Sequence, residues 1–192
     1  MWPFCPSCVV DTRVITVERH YDAVENTHYA VHGCRCGLSF STPSRQPSQR
    51  WREVCEAGRE ERRGDPLDWR YDQFFSHPPA GTWLLDLGCG DGTFVRLAAA
   101  RYMAVGVDND ARVARTRGFD GHGIVNADIH EYLLGIGDDY FDVVTLFDVL
   151  EHAEDPALLL ERVKRVLRVG GHVAITLPNA DRSPAAEPSV LA

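Results

Sequence analysis

An acid followed by three alternating glycines is the feature of this sequence with the clearest chemical potential. The stretch Leu84–Gly92 reads Leu-Leu-Asp-Leu-Gly-Cys-Gly-Asp-Gly, with Asp86 two residues before the first glycine. Gly88, Gly90 and Gly92 have no Cβ, so the backbone can turn tightly and approach a ligand closely. A carboxylate beside such a loop favours a cationic ligand and opposes a pyrophosphate. The stretch therefore predicts a nucleotide-type site for a ligand that carries positive charge.

Other polar residues follow later apolar runs at positions that suit the same site. Asp108 comes directly after Ala104–Val107, where an acid at the end of a strand can bind ribose hydroxyls. Ligands of parallel sheets bind beyond the carboxyl ends of the strands, so we expect Phe147–His152 to face a ligand as well. His152 is the candidate general base, because imidazole titrates near neutral pH. A histidine that hydrogen-bonds the loop or the following helix is the alternative.

A parallel sheet is needed to bring these residues together. The run Trp83–Leu87 stays apolar instead of alternating, as a strand buried on both faces does. The helical pattern Thr93–Arg101 follows the glycines, so the loop leads its ligand to a helix N-terminus. Further strands are predicted at Ala104–Val107, Gly123–Asn126, Phe141–Phe147 and His172–Leu177, and further helices at Ala111–Arg117, His130–Leu134 and Pro156–Leu167. This alternation predicts an α/β fold with a doubly wound, mostly parallel sheet.

Over about Trp83 to Asn179, the order and spacing of these motifs resemble the class I S-adenosylmethionine (SAM)-dependent methyltransferases. The acid followed by G-x-G-x-G resembles the first motif of that family. Tyr140–Val144 and Phe147–His152 resemble the segments by which the family enters and leaves its fourth strand. The resemblance implies strand order 3-2-1-4-5. Because Leu177 is followed by fifteen residues with no strand-like period, we expect the fold to be truncated after strand 5.

The resemblance also implies SAM as the cofactor. The family places an acid after the third strand to hydrogen-bond the adenine amine, and Asp128 takes that position, with the backbone N–H of Ile129 beside it for a ring nitrogen. An N-cap role for Asp128 is an alternative compatible with the first. The cofactor-binding residues implied in this way are Asp86, Gly88, Cys89, Gly90, Gly92, Asp108, Asn109, Asp128, Ile129, Phe147 and Asp148.

A divalent-metal site is a further implication of the resemblance. Asp148, Glu151 and His152 resemble an acid-x-x-Glu-His pattern by which some members of the family bind a metal ion. The first position is Asp where those members have Glu, so its reach is shorter.

The first forty residues hold four of the six cysteines, as Cys5-Pro-Ser-Cys8 and Cys34-Arg-Cys36. Between the pairs, Thr12–Glu18 alternates like a strand and Tyr29–His32 suits a partner strand. Two cysteine pairs at the ends of a hairpin predict a zinc ribbon, with the tetrahedral thiolate site Cys5, Cys8, Cys34 and Cys36. Bound metal would stabilise a segment too short to build its own core.

Other readings of these cysteines stay open. His28 or His32 lies near enough in sequence to replace one thiolate. A redox-active pair and reduced cysteines without metal are the remaining alternatives.

We divide the chain into four segments: 1–41, a zinc-ribbon-like module; 42–80, a linker and a helical segment that the resemblance implies covers the cofactor; 81–179, the SAM-binding domain implied by the same resemblance; and 180–192, a disordered tail. In the second segment we predict a helix over Arg50–Arg63, with Cys55 as a small buried hydrophobe. An aromatic cluster follows it, for which core packing is the favoured role, and consists of Trp69, Tyr71, Phe74 and Phe75.

The charge and hydropathy of the chain exclude several classes of function. A net charge of −8 argues against broad nucleic-acid binding, which requires a basic face. No apolar span is long enough for a transmembrane helix, and the N-terminus lacks the pattern of a signal peptide. We therefore expect a cytoplasmic protein with reduced thiols or metal-bound cysteines.

We predict a SAM-dependent methyltransferase that acts on an oxygen, nitrogen or carbon nucleophile of a small molecule. A zinc-ribbon-like module before such a domain resembles bacterial small-molecule methyltransferases. The alternatives are a non-catalytic SAM-binding scaffold or sensor that docks a partner through the ribbon, and, less favoured, an RNA methyltransferase. The sheet edge after strand 5 is expected to be exposed or covered by a protein partner or a second copy.

Overall fold

The computed structural model describes Cys8 and residues 15–23, 26–36, 39–42, 68–110 and 123–177. Within this part of the chain, a small antiparallel sheet and a larger parallel sheet fall in two separate compact units. The predicted helices Arg50–Arg63 and Ala111–Arg117, the buried Cys55 and the tail lie outside the described residues.

The smaller sheet contains three antiparallel strands in the order β1-β2-β3. They are β1 (Ile15–Asp22), β2 (Thr27–Gly33) and β3 (Ser39–Thr42). The predicted hairpin is therefore present, and β3 is an addition, because its last two residues were interpreted as the start of a linker. His32 is 3% exposed, and its Nε2 lies 2.6 Å from the Thr42 hydroxyl, so this histidine joins β2 to β3.

The larger sheet contains five parallel strands in the order β6-β5-β4-β7-β8. This order corresponds to the predicted 3-2-1-4-5 and confirms the α/β fold class. The strands are β4 (Trp83–Leu87), β5 (Met103–Asp108), β6 (Gly123–Asn126), β7 (Phe141–Phe147) and β8 (Leu167–Thr176). The helices are α1 (Trp69–Ser76), α2 (Thr93–Ala98), α3 (Ile129–Gly135) and α4 (Pro156–Val166).

Strand β4 lies at the centre of this sheet, paired with β5 on one side and β7 on the other. Its residues Leu84 to Leu87 are all buried, including Asp86 at 2% exposure. Parallel strands covered on both faces read as continuous apolar runs, which explains why β4 was predicted with the bounds that the structure shows.

The junction between α4 and β8 differs from the prediction. The helix was expected to end at Leu167 and the strand to begin at His172, but α4 ends at Val166 and β8 begins at the next residue. Leu167 already pairs with Phe141, and the register then shifts before the pairing resumes further along β8. The glycines thus occupy an irregular stretch of the strand, where Gly170 has φ of +80°, rather than a helix terminus.

Helix length bears on membrane insertion. No helix within the described ranges is both long and apolar enough to cross a bilayer.

Candidate functional site

The glycine loop between β4 and α2 has a backbone that only glycine adopts easily. Gly88, Gly90 and Gly92 have φ of +73°, +54° and +76°, in the left-handed region where a Cβ is unfavourable. The N–H of Gly88 donates to the carbonyl of Val107 at 2.8 Å, and the N–H of Gly92 donates to that of Cys89 at 2.9 Å. The loop is therefore fixed to the carboxyl end of β5.

The three glycines have different surroundings. A Cβ on Gly88 would lie 2.4 Å from Val149 Cγ2, and one on Gly92 would lie 2.0 Å from Ile124 Cδ1. A Cβ on Gly90 would meet no heavy atom within 4 Å. Gly88 and Gly92 are thus required by packing, whereas Gly90 faces open space into which a ligand can fit.

Asp108 connects the glycine loop to the ends of two strands. Its Oδ2 accepts a hydrogen bond from the N–H of Gly90 at 2.9 Å, and its Oδ1 accepts one from the N–H of Asp110 at 2.8 Å. The amide of Asn126, at the end of β6, donates to the backbone carbonyls of Asp108 and Asp110 at 3.0 and 2.9 Å. The glycine loop, the end of β5 and the end of β6 therefore meet at Asp108, through its carboxylate and its backbone carbonyl.

Asp86 is a buried acid directly behind the loop. The Thr145 hydroxyl on β7 donates to its Oδ1 at 2.6 Å, as the β4–β7 register that pairs the two residues allows. Burial raises the pKa of Asp86 to about 7; the Thr145 hydrogen bond lowers it, the charge of Asp108 raises it, and Arg70 lowers it. An acid that titrates near neutral pH in this position is characteristic of functional sites.

Asp128 is the N-cap of α3. Its Oδ1 accepts hydrogen bonds from the N–H groups of His130 and Glu131 at 2.8 and 3.1 Å, and Ile129 is the first residue of the helix. The N-cap interpretation is confirmed. Both bonds end on Oδ1, so neither of them uses Oδ2.

Phe147 and Asp148 lie where β7 ends. The Phe147 ring is 4.8 Å from that of Phe94, in the first turn of α2. Asp148 Oδ2 accepts a hydrogen bond from Arg70 Nη1 at 2.6 Å, and Oδ1 accepts one from the Thr176 hydroxyl at 3.0 Å. Arg70, Thr145 and Thr176 were not predicted as site residues. Nothing in their sequence neighbourhood marks them, because each acts through a contact distant in the chain.

The aromatic cluster ahead of β4 forms helix α1. Phe74 is buried, and Tyr71 and Phe75 pack against the same core, so core packing is confirmed for these three. Trp69 is 65% exposed, and its predicted place in the cluster is wrong. The helix begins where Asp68 caps the N–H of Arg70, which turns the Trp69 side chain away from the core.

Glu151 and His152 end a short 3₁₀ turn, Leu150–His152, which follows β7 in sequence. Among the described residues, one group of side chains is suited to hold a metal ion, and it does not include Asp148, Glu151 or His152. Both carboxylate oxygens of Asp148 already accept hydrogen bonds from protein groups. The predicted divalent-metal site is therefore not supported by the structure.

The group that does suit a metal ion consists of Cys8, Cys34 and Cys36, whose sulfur atoms lie within 4.8 Å of one another. The Sγ atoms of Cys8 and Cys34 are 3.7 Å apart. Thiolates bound at ~2.3 Å to one tetrahedral zinc ion lie about 3.8 Å apart, so this spacing fits zinc. Cys5, the fourth predicted ligand, lies outside the described residues.

Part of the chain is similar to proteins of known families. Residues 85–175 match a family model described as "Methyltransferase domain". A ubiquinone biosynthesis O-methyltransferase of Ralstonia nicotianae is 30% identical over 123 residues, which cover 56% of this chain and 46% of that protein. The bifunctional methionine biosynthesis protein MetXA/MetW of Rhodopirellula baltica is 32% identical over 114 residues, 53% of this chain and 17% of that protein.

A SAM-dependent methyltransferase of Archaeoglobus fulgidus has a similar solved structure. The TM-score is 0.57 at 22% identity, and the match covers 67% of this chain and 59% of that one. This likeness shows the fold. Residues 85–175, which contain most of the parallel sheet, are similar to the "Methyltransferase domain" family. The chain spans about half the length of the Ralstonia relative.

Proposed function

We propose that this chain binds SAM at the glycine loop and transfers its methyl group to a small-molecule acceptor. The observation that carries the proposal is the open space beside Gly90, next to the carboxylate of Asp108 and just beyond the buried Asp86. An acidic, glycine-lined recess suits a ligand with a sulfonium, an ammonium and a ribose but no phosphate.

Each cofactor-binding residue has a distinct part in this proposal. The Asp108 carboxylate has lone pairs beyond those used by Gly90 and Asp110, and these accept the ribose hydroxyls. Asp128 Oδ2 accepts the adenine amine, and the Ile129 N–H donates to a ring nitrogen. Asp86 attracts the ammonium group from behind the loop. Cys89, Asn109 and Phe147 complete the recess around these polar contacts.

Methyl transfer requires little covalent chemistry from the protein itself. SAM supplies a methyl group on sulfur, which passes to an oxygen, nitrogen or carbon nucleophile and leaves S-adenosylhomocysteine (SAH). The residues of the chain hold the nucleophile in line at ~3 Å, which avoids an entropic cost of several kcal/mol. His152 takes the proton of an acceptor that starts protonated.

An oxygen nucleophile on a small molecule is the favoured acceptor. The supporting observation is the name of the Ralstonia relative, an O-methyltransferase of ubiquinone biosynthesis. The net charge of −8 disfavours RNA, whose binding depends on the displacement of counterions by basic side chains.

We also propose that Cys5, Cys8, Cys34 and Cys36 bind a structural zinc ion. The sulfur atoms of Cys8 and Cys34 are already at the spacing that a zinc ion requires, and that of Cys36 lies within 4.8 Å of both. Four protein ligands leave no open position on the metal, so the ion stabilises the small sheet and takes no part in methyl transfer. This module also supports the second candidate function, a SAM-binding scaffold that docks a partner through its metal module.

The exposed edge of the sheet at strand β8 supports the binding of a partner, either another protein or a second copy of this chain. Strand β8 is an edge strand among those described, and Val173, Ile175 and Leu177 on it or just beyond it are 46%, 36% and 53% exposed. Exposed apolar edges of this kind are sites of pairing between chains. The molar mass in solution, measured by light scattering, tests for a second copy.

Calorimetric titration with SAM and SAH tests the proposed cofactor site. Asp108→Asn removes one charge at the loop and should weaken SAH binding at least tenfold. Asp138→Asn is the matched control, because Asp138 is exposed and pairs with Arg165 away from the loop. Equal SAH affinity in Asp108→Asn and wild type would contradict the proposed site.

An activity assay separates the enzyme from the scaffold. SAH formation is followed with phenols, carboxylic acids and amines as acceptors, and His152→Ala is compared with wild type across the pH range. Turnover that depends on the acceptor supports the enzyme. Tight SAM binding without turnover on any of these acceptors, combined with capture of a partner that requires the cysteines, supports the scaffold instead.

A further inference from the structure

An ion pair links helix α1 to the end of strand β7. Arg70 Nη1 lies 2.6 Å from Asp148 Oδ2, and the two side chains are 22% and 35% exposed. The residues are 78 positions apart in sequence, so their contact fixes one part of the domain against another. Partial burial reduces solvent screening of such a pair.

Both partners are held in place by further hydrogen bonds. The Arg70 guanidinium also binds Asp68 in a fork, through Nε at 2.9 Å and through Nη2. Asp148 accepts a hydrogen bond from the Thr176 hydroxyl at 3.0 Å and donates its own N–H to the Thr176 carbonyl at 3.2 Å. The geometry of the pair is therefore determined from both sides.

Asp148 has a strained backbone. Its φ is +56°, a left-handed conformation that is unfavourable for a residue with a Cβ. Strain of this kind persists only where the surrounding contacts impose it, and it is concentrated at functional sites. Here the contacts with Arg70 and Thr176 impose it, at the carboxyl edge where the ligand of a parallel sheet binds.

Tyr71, the residue next to Arg70, packs against the helix that follows the glycine loop. The Tyr71 ring lies 5.2 Å from Phe94, in the first turn after the glycine loop, and 5.9 Å from Phe147. The pKa of Tyr71 is raised to about 12, because burial and the charge of Asp86 raise it more than Arg70 lowers it. The aromatic face of α1 is therefore next to the glycine loop and its buried acid.

We infer that Arg70 and Asp148 are positioning residues, whose ion pair fixes α1 as one wall of the cofactor site and so sets how tightly SAM and SAH are held. An eight-residue helix is marginal by itself and needs such an anchor. The inference rests on the proposed function, since it concerns the SAM site. In this inference Asp148 holds Arg70, and with it α1, in place, in addition to any direct contact that Asp148 makes with the cofactor.

The test uses SAH titration and SAH release rates with the chain of residues 1–192. Arg70→Met keeps the volume of the side chain and loses the charge, whereas Arg70→Lys keeps the charge that reaches Asp148. We expect Arg70→Met and Asp148→Asn each to weaken SAH binding about tenfold, mainly through faster release, and Arg70→Lys to restore most of the affinity. Arg165→Gln, which removes the exposed pair with Asp138, is the control and should bind like wild type.

The double variant Arg70→Met/Asp148→Asn distinguishes the pair from two independent effects. Coupled residues give a double variant that is no weaker than the worse single variant, whereas independent residues multiply their effects. Rescue by Arg70→Lys is a result that a purely structural role for the side-chain volume does not give.

The outcomes separate this inference from the proposed function. If wild type binds SAH and both single variants bind it equally well, the inference is overturned and the proposed function stands. Multiplicative losses in the double variant also overturn the inference. If wild type, Arg70→Lys and the Arg165→Gln control all fail to bind SAH, the proposed function and the inference are overturned together. Asp148→Asn retains the shape of the side chain, so its SAH affinity tests the inference if Arg70→Met does not fold.

Discussion

The Thr145 hydroxyl donates a hydrogen bond to the buried carboxylate of Asp86 across neighbouring parallel strands, at 2.6 Å. Thr145 itself is fully buried, so the hydrogen bond has no competition from water. It favours the charged form of Asp86 against the burial that raises the pKa of this acid to about 7. The charge behind the glycine loop therefore depends on a residue in the middle of β7.

Asp86→Asn should increase the stability of the protein at neutral and alkaline pH. The folded pKa of Asp86 is raised from 3.8 to about 7, so the folded state holds its proton more strongly than the unfolded state. Its contribution to stability is complete below the unfolded pKa and is lost as pH rises through 7. Thermal unfolding of both proteins between about pH 5 and 8 should show wild type losing stability and the variant changing less.

A variant that lost stability in parallel with wild type over this range would contradict the raised pKa. Wild type and Asp86→Asn are compared in the same buffers, and they differ only at residue 86.

Thr145→Val should move the pH dependence of SAH binding toward higher pH. Valine keeps the shape of threonine but donates no hydrogen bond, so the charged form of Asp86 loses a stabilising contact. If the ligand's ammonium needs ionised Asp86, affinity falls as pH drops below the pKa of that acid, and the fall should begin at higher pH in the variant. An unchanged profile of SAH affinity against pH would show that Asp86 is not the group that titrates.

Gly90→Ala and Gly92→Ala should fail in different ways. Both glycines have positive φ, so alanine costs about 1 kcal/mol of backbone strain at either position. A Cβ at Gly90 points into open space, whereas one at Gly92 would lie 2.0 Å from Ile124 Cδ1. We expect Gly90→Ala to remain folded and lose SAH binding, and Gly92→Ala to be much less stable. Urea unfolding and SAH titration on the same samples separate the two effects.

Asp142→Ala should reduce stability without changing SAH affinity. Asp142 lies at the amino end of β7, where its Oδ2 accepts hydrogen bonds from the N–H groups of Thr82 and Trp83 at 2.7 and 2.8 Å. Its loss leaves the part-buried N–H of Trp83 without its acceptor, whereas water can replace the acceptor at the exposed Thr82, so the cost is about 1 kcal/mol. Chemical unfolding and calorimetric titration measure the two quantities.

The effect of Asp142→Ala should disappear in acid. Burial raises the pKa of Asp142, but the bonds from Trp83, Thr82 and Arg168 outweigh it, and the net pKa is lowered. A lowered acid stabilises the folded state above its unfolded pKa and loses that effect as pH falls through the folded pKa. A difference between variant and wild type that persisted after Asp142 is protonated would contradict this assignment.

Removal of Cys36 should release the metal ion. We expect the purified chain to contain one zinc ion, detected by mass spectrometry and by a colorimetric chelator, and Cys36→Ser to contain much less. Cys89→Ser is the matched control, because Cys89 is buried in the glycine loop and takes no part in the cluster. Equal zinc content in Cys36→Ser and wild type would contradict the thiolate site.

The parts of the fold that sequence predicts are those with a local cause. Strands β4, β6 and β7 have the bounds that their sequence patterns predicted.

The parts that sequence does not predict depend on contacts between distant positions. The pairing of Thr145 with Asp86 requires the β4–β7 register, which no local pattern specifies. The contact of Arg70 with Asp148 requires α1 to lie beside the carboxyl end of β7. Neither Thr145 nor Arg70 belongs to a sequence motif, so the role of each is recognised only after the chain has folded.

The hydrogen bond between the N–H of Gly90 and the Asp108 carboxylate has a consequence for the thermodynamics of ligand capture. The loop is ordered by the protein's own side chain, so an arriving nucleoside does not have to freeze a mobile backbone. Preorganisation of this kind lowers the entropic penalty of association. Tight capture then depends on the quality of the new polar contacts, and a measured enthalpy should carry most of the affinity.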